Sequence, residues 1–270
     1  MMSIRAIVLV GLGVLGLAAL PVQAEQIKRT EQQGNVKAEL SYEKVPIDGI
    51  PQTKNVRLQI LRDGKLVFDQ APTMNEYDRP LIEFQDDRGF VVRDLNSDKD
   101  PEVIADMFTG GAHCCRYSLI YQYDADRQRY SETHMKWGNL GYQLRDLDRD
   151  GKLEFYSADD RFAYAFTSYA ASAFPIQIWR FQAGEMSDIT RQYPKEIYSD
   201  AYRLWQLYQK IRTEEGAEVK GVLAAYLADK YLLGQQEDGW NRLREVYQES
   251  DREEFFGSLR KFLKETGYEQ

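Results

Sequence analysis

The side chains that most often carry catalysis are scarce in this 270-residue chain. It has two histidines and two cysteines, and the cysteines are neighbours, Cys114 and Cys115. One His-Cys-Cys run supplies too few ligands for a closed tetrahedral zinc site. No nucleophile elbow, phosphate loop, zinc-protease helix or Ser-His-Asp set is present, so no catalytic residue is assigned and an enzyme is not expected. Basic charge is also in deficit: 35 Lys and Arg face 43 Asp and Glu, for a net charge of −8. That excludes a nucleic-acid partner held by a generic basic field. Long apolar runs are missing after residue 20, so no membrane span is expected in the mature chain.

The one long apolar run lies at the start. Arg5 is the only charge before Ala6–Leu20, Pro21 breaks the run, and Val22-Gln23-Ala24 puts small residues at −3 and −1 of a cleavage site. A cleavable signal peptide is expected over 1–24, with a periplasmic or secreted chain from Glu25. An uncleaved N-terminal anchor is the competing reading. Loss of Arg5 leaves 34 basic residues against 43 acidic ones.

Residues 25–35 are polar and are expected to fray. Val36–Lys44 alternates apolar with polar, the period of a strand, and 46–51 follows as a loop. Asp63-Gly64 between two β-rich runs signals a hairpin, because Gly tolerates positive φ. Similar runs occupy 89–95, 103–108, 117–123, 128–134, 142–147, 155–157, 176–181 and 185–191. From Ser199 the period becomes helical. Ala201, Leu204, Trp205, Tyr208 and Ile211 share one face, and Val219, Val222, Leu223 and Tyr226 another. Trp240, Leu243, Val246 and Tyr247 mark a third helix. A fourth carries Phe255, Phe256, Leu259, Phe262 and Leu263 behind a Ser250–Glu253 capping box. The expected fold is mainly β with an α-helical C-terminal domain. Antiparallel β repeats fill 25–194, a small helix bundle fills 195–270, and 192–198 links them. Limited proteolysis at that link is expected to release the helices as an independent unit.

Two acidic stretches organise the β part. Asp94-Leu95-Asn96-Ser97-Asp98-Lys99-Asp100-Pro101-Glu102 and Asp146-Leu147-Asp148-Arg149-Asp150-Gly151-Lys152-Leu153-Glu154 each put oxygen side chains at positions 1, 3, 5 and 9. Hard oxygen ligands at alternating loop positions suit Ca²⁺, whereas Mg²⁺ keeps more water and demands tighter octahedral geometry. An EF-hand needs Glu at position 12, where these loops have Ala105 and Ser157. The loops are offset by 52 residues, and the order strand, acidic loop, strand, hairpin repeats with them. Gly151 lets the second loop turn freely, while Lys99 holds the matching position of the first. The second loop is therefore expected to be the better site.

Phe90-Val91-Val92-Arg93-Asp94-Leu95-Asn96 and Tyr142-Gln143-Leu144-Arg145-Asp146-Leu147-Asp148 carry a family likeness. Through them residues 89–181 resemble the FG-GAP and VCBS-type repeats of bacterial secreted proteins, which are related to the cation loops of integrin α-subunits. The resemblance implies four-stranded blades and Ca²⁺ at positions 1, 3, 5, 7 and 9. In the first loop that gives Asp94, Asn96, Asp98, Asp100 and Glu102. In the second it gives Asp146, Asp148, Asp150, the main-chain carbonyl of Lys152, and Glu154. Glu stands at position 9 where the family has Asp. Two loops are too few for a closed propeller, which needs at least four blades, so an open stack or sandwich is expected.

Cys114 and Cys115 have no third cysteine to pair with. In an oxidising compartment a bond between them is expected. A soft-metal site with His113, redox activity and intermolecular pairing are the alternative readings. The expected function is that of an exported calcium-binding β-repeat protein, monomeric, with a non-catalytic binding or scaffolding role toward a protein or glycan. The alternative is a thiol-redox or soft-metal protein acting through His113-Cys114-Cys115.

Overall fold

A computed structural model describes residues 24–47, 50–82, 89–111 and 114–269. Signal-like residues 1–23 and His113 lie outside the described residues. The strands form three antiparallel sheets. The first is a meander of β1 (Glu25–Gln33), β2 (Val36–Ile47), β3 (Ile50–Arg62) and β4 (Lys65–Gln70). The second holds β5 (Arg79–Pro80), β6 (Phe90–Arg93), β7 (Glu102–Gly111), β8 (Cys114–Asp124) and β9 (Arg129–Gly138), with β5 and β6 both paired to β7. The third is β10 (Gln143–Arg145), β11 (Glu154–Ala158), β12 (Ile176–Gln182) and β13 (Glu185–Asp188).

The sheets stack, and the middle one is buried on both faces. Val103, Ala105 and Met107 of β7 join Val36, Leu40, Leu58 and Ile60 of the first sheet in one apolar cluster. Ile104, between them in sequence, turns the other way toward Phe155 and Phe181 of the third sheet. A near-continuous apolar run is what such a doubly covered strand requires. Among the described residues the strands form three antiparallel sheets and no closed propeller.

The polar stretch 25–33 is a strand and not a frayed end. It pairs with β2 along its whole length, from Glu25 opposite Lys44 to Gln33 opposite Val36. It forms one edge of its sheet, and edge strands carry polar side chains because solvent faces them. The loop expected at 46–51 is also mostly strand, with Pro46 opposite Pro51 near the end of the β2–β3 hairpin.

Four helices follow: α1 (Pro194–Ile211), α2 (Lys220–Leu232), α3 (Gln236–Val246) and α4 (Arg252–Glu265). α1 starts inside the expected link, because Pro194 at its first turn has φ preset for a helix. The Ser250–Glu253 capping box does not form. Asp251 is the residue before α4, and its carboxylate accepts from Lys220 and, at 2.8 Å, from the Tyr247 hydroxyl. α2 is central and nearly all buried.

The helical core reaches back into the β part. Phe162 and Ala173, from between β11 and β12, sit in the same apolar cluster as α1–α4. Phe162 meets Phe262 edge-on at 4.9 Å. Tyr268 donates its hydroxyl to Asp159 at 2.9 Å. Arg191 donates to the carbonyls of Tyr231 and Leu232, at the end of α2, and of Tyr268, just past α4. A guanidinium on helix-terminal carbonyls is favourable by charge and dipole. Arg191→Ala is expected to cost about 1–2 kcal/mol, read from denaturant titration by far-ultraviolet circular dichroism. An unchanged midpoint would show that this clasp holds nothing.

Candidate metal centre

Each acidic loop joins two neighbouring strands of one sheet, β6 to β7 and β10 to β11. The two loops share one pattern of hydrogen bonds. The position 9 glutamate accepts the position 2 N–H: Leu95 to Glu102 at 3.0 Å, Leu147 to Glu154 at 3.0 Å. The position 1 aspartate accepts from position 6: Lys99 to Asp94 at 2.9 Å, Gly151 to Asp146 at 3.1 Å. Position 3 accepts from position 5, Asp98 to Asn96 at 3.0 Å and Asp150 to Asp148 at 3.3 Å. Position 5 accepts from position 7, Asp100 to Asp98 at 2.7 Å and Lys152 to Asp150 at 2.8 Å.

Those bonds turn the acidic side chains inward and wrap the backbone round them. The wrap needs positive φ at positions 4 and 6 of both loops: Ser97 62°, Lys99 71°, Arg149 63° and Gly151 87°. Lys99 therefore adopts the conformation that Gly151 adopts at no steric cost. The loops also touch each other. Ser97 Oγ donates to the Gly151 carbonyl at 2.6 Å, and Leu153 N–H to the Leu95 carbonyl at 2.9 Å.

Their charges are balanced differently. In the second loop, carboxylate oxygens of Asp146, Asp148 and Glu154 lie within 4.8 Å of one another, close enough to share an ion. Arg180 of β12 already reaches in. Its guanidinium donates to Glu154 Oε1 at 2.6 and 3.1 Å, and stands 3.7 Å from Asp148. Tyr193 donates its hydroxyl to Asp148 at 3.2 Å. Both oxygens of Glu154 are thus occupied.

Among the described residues, the first loop has no such cation on its glutamate. There Glu102 Oε1 accepts from the Gln122 amide, at 3.3 Å. Glu102 is 1% exposed. Burial pushes its carboxyl up to about 7, and the nearby charges of Asp98 and Asp94 add to the rise. Asp94 Oδ1 is buried with no hydrogen-bond partner among the described residues. Asp100 turns its carboxylate outward to Arg62 of β3, at 2.6 Å. It leaves position 7 its main-chain carbonyl, as Lys152 does. Arg62, Gln122, Arg180 and Tyr193 carry no sequence signal for these roles, since packing of β3, β8, β12 and the approach to α1 delivers them.

Cys114 and Cys115 open β8, with their sulfurs against each other, a cis peptide between them and Cα atoms 3.1 Å apart. His134 pairs with Glu132 at 2.7 Å on β9 and lies parallel to the Tyr117 ring.

The fold and loops define a mainly β protein of stacked antiparallel sheets with two acidic turns and a four-helix C-terminal segment. Residues 197–267, from within α1 to just past α4, match the family described as the sll0997 C-terminal domain. Over 233 residues the chain is 29% identical to a Synechocystis protein described as probable thylakoid lumen protein sll0997, covering 84% of this chain and 64% of that one. Over 207 residues it is 28% identical to the uncharacterized protein y4bJ of Sinorhizobium fredii, covering 73% of this chain and 31% of that one. The chain thus spans just under two thirds and just under one third of these two relatives. No solved structure matches it. Among the described residues, no helix is long and apolar enough to cross a membrane.

Proposed function

We propose that this is an exported protein whose stacked β repeats bind Ca²⁺ through both acidic loops and serve a non-catalytic binding or scaffolding role. The observation that carries this reading is the shared wiring: two loops 52 residues apart hold acidic side chains inward with the same four backbone hydrogen bonds. The repeat of strand, loop and meander also supports the likeness to FG-GAP and VCBS-type repeats. A lumenal relative supports export, since the thylakoid lumen description is of a compartment beyond a membrane.

Hard oxygen donors select Ca²⁺ over soft metals. The first loop is ranked as the stronger site, because no guanidinium among the described residues reaches its glutamate, and this weighs against the closer carboxylate cluster of the second loop. Equilibrium dialysis against calcium, magnesium, zinc and copper together tests this, with elemental mass spectrometry as the readout. Calcium is expected to be enriched with the protein. Zinc or copper enriched without calcium would favour the His113-Cys114-Cys115 reading instead.

Cys114 and Cys115 form a disulfide with a structural role. Thiol counting on the denatured exported protein without reductant is expected to find none, and a non-reducing gel a monomer. Two free thiols, or a reducible dimer, would contradict the pairing.

A further inference from the structure

A cavity of about 790 Å³ opens where the second sheet, the third sheet and α1 meet. It shares no residue with the acidic loops. Its size is that of small-molecule sites, about 300–1,000 Å³. Leu81, Trp137, Leu140, Phe174 and Ile176 supply apolar wall. Four charged side chains also line it: Asp106, Arg116, Asp200 and Arg203.

Three of the four are already engaged. Arg203 donates to Asp200 at 2.7 Å. Asp106, 7% exposed, accepts the hydroxyls of Ser118 and Tyr142. Arg116 makes no ion pair or side-chain hydrogen bond among the described residues, and it acts on Asp106 through charge alone. Its Nη1 lies 3.4 Å from the point where a side chain on Gly141 would begin, so the glycine keeps the approach to it open. One exposed guanidinium with no side-chain partner among the described residues, beside apolar and aromatic wall, matches one negative charge on an apolar body. A second negative charge on the ligand would face Asp106 and Asp200.

We propose that this cavity binds a small organic monocarboxylate with a flat apolar body. Arg116 takes the carboxylate through its fork of N–H donors. The body lies against the Trp137 and Leu140 wall. Neither the loops nor calcium takes part.

The test uses the full chain with 3-phenylpropionate and its neutral amide as probes, titrated by calorimetry. The acid is expected to bind, and the amide to bind about tenfold more weakly, the loss of one charge-assisted contact. Arg116→Gln should weaken the acid by about the same factor and make the two probes equivalent. Gly141→Leu should block both, with the melting temperature confirming that each variant folds. Equal affinity of acid and amide for the unaltered protein would overturn the proposal. So would Arg116→Gln with the acid's affinity unchanged, or no binding of either probe at millimolar concentration.

Discussion

Glu102→Gln is expected to stabilise the metal-free protein above pH 7, while Glu154→Gln destabilises it. The two glutamates hold the same loop position and both are buried, 1% and 0% exposed. Their partners differ. Burial, with the charges of Asp98 and Asp94, raises Glu102 from 4.5 to about 7. Between those values the folded state holds a proton that the unfolded state has lost. Stability from this group is therefore present at low pH and falls as pH rises toward 7, levelling off above it. The full shift corresponds to about 3 kcal/mol. Gln keeps an oxygen for the Leu95 N–H and removes the charge. Glu154 instead pairs with Arg180 at 2.6 Å. Gln there leaves the guanidinium, 17% exposed, with the more distant Asp148 at 3.7 Å and the Tyr193 hydroxyl. Losing the charge-assisted bond costs about 1.5–3 kcal/mol. Denaturant titrations in chelator at pH 5 and pH 8 check both. The gain from Glu102→Gln should vanish at pH 5. Equal signs at pH 8 would contradict the difference drawn between the loops.

Calcium is expected to raise the melting temperature and chelator to reverse the rise. Each empty loop gathers carboxylates that repel one another, and the ion ties the end of one strand to the start of the next. Extracellular sites of this kind bind with Kd of about 10⁻⁴–10⁻³ M. At a calcium level about 100 times Kd, each filled site adds about 2.7 kcal/mol, or several degrees for a chain of this length. Asp94→Ala with Asp98→Ala should remove more of the response than Asp146→Ala with Asp150→Ala. The reason is Arg180, which already neutralises part of the second loop. A larger loss from the second pair would mean that Gly151, and not Arg180, decides the ranking.

The contacts behind the proposed ranking of the two loops are not legible in the sequence. The freedom of glycine places the second loop first, because position 6 turns through positive φ and Gly does so at no cost. The structure has Lys99 making the same turn, at φ 71°. The cation set against the glycine in the proposed ranking arrives from β12, 26 residues past Glu154. No local spacing announces it. The strands are legible where one face is buried, since alternation along 36–42 follows from having an inside and an outside. β1 is not legible, because an edge strand with mostly polar side chains has no such contrast. The loops themselves are legible as a repeated pattern of oxygen side chains at odd positions, and the structure gives both the same backbone hydrogen bonds. Asp100 is the exception, its carboxylate drawn off to Arg62 from another sheet. The helical stripes identify α1–α4, but not the part of their core that Phe162 and Ala173 supply. That packing also ties the helices to the β part close to the link where proteolysis is expected to release them.

The most direct test of the central claim is a calorimetric titration of the metal-free exported chain with calcium. Two ions per chain are expected, the tighter one lost in Asp94→Ala with Asp98→Ala and the weaker in Asp146→Ala with Asp150→Ala. No binding heat under any buffer, with a melting curve indifferent to both calcium and chelator, would leave the two loops as ordinary acidic turns and contradict the account.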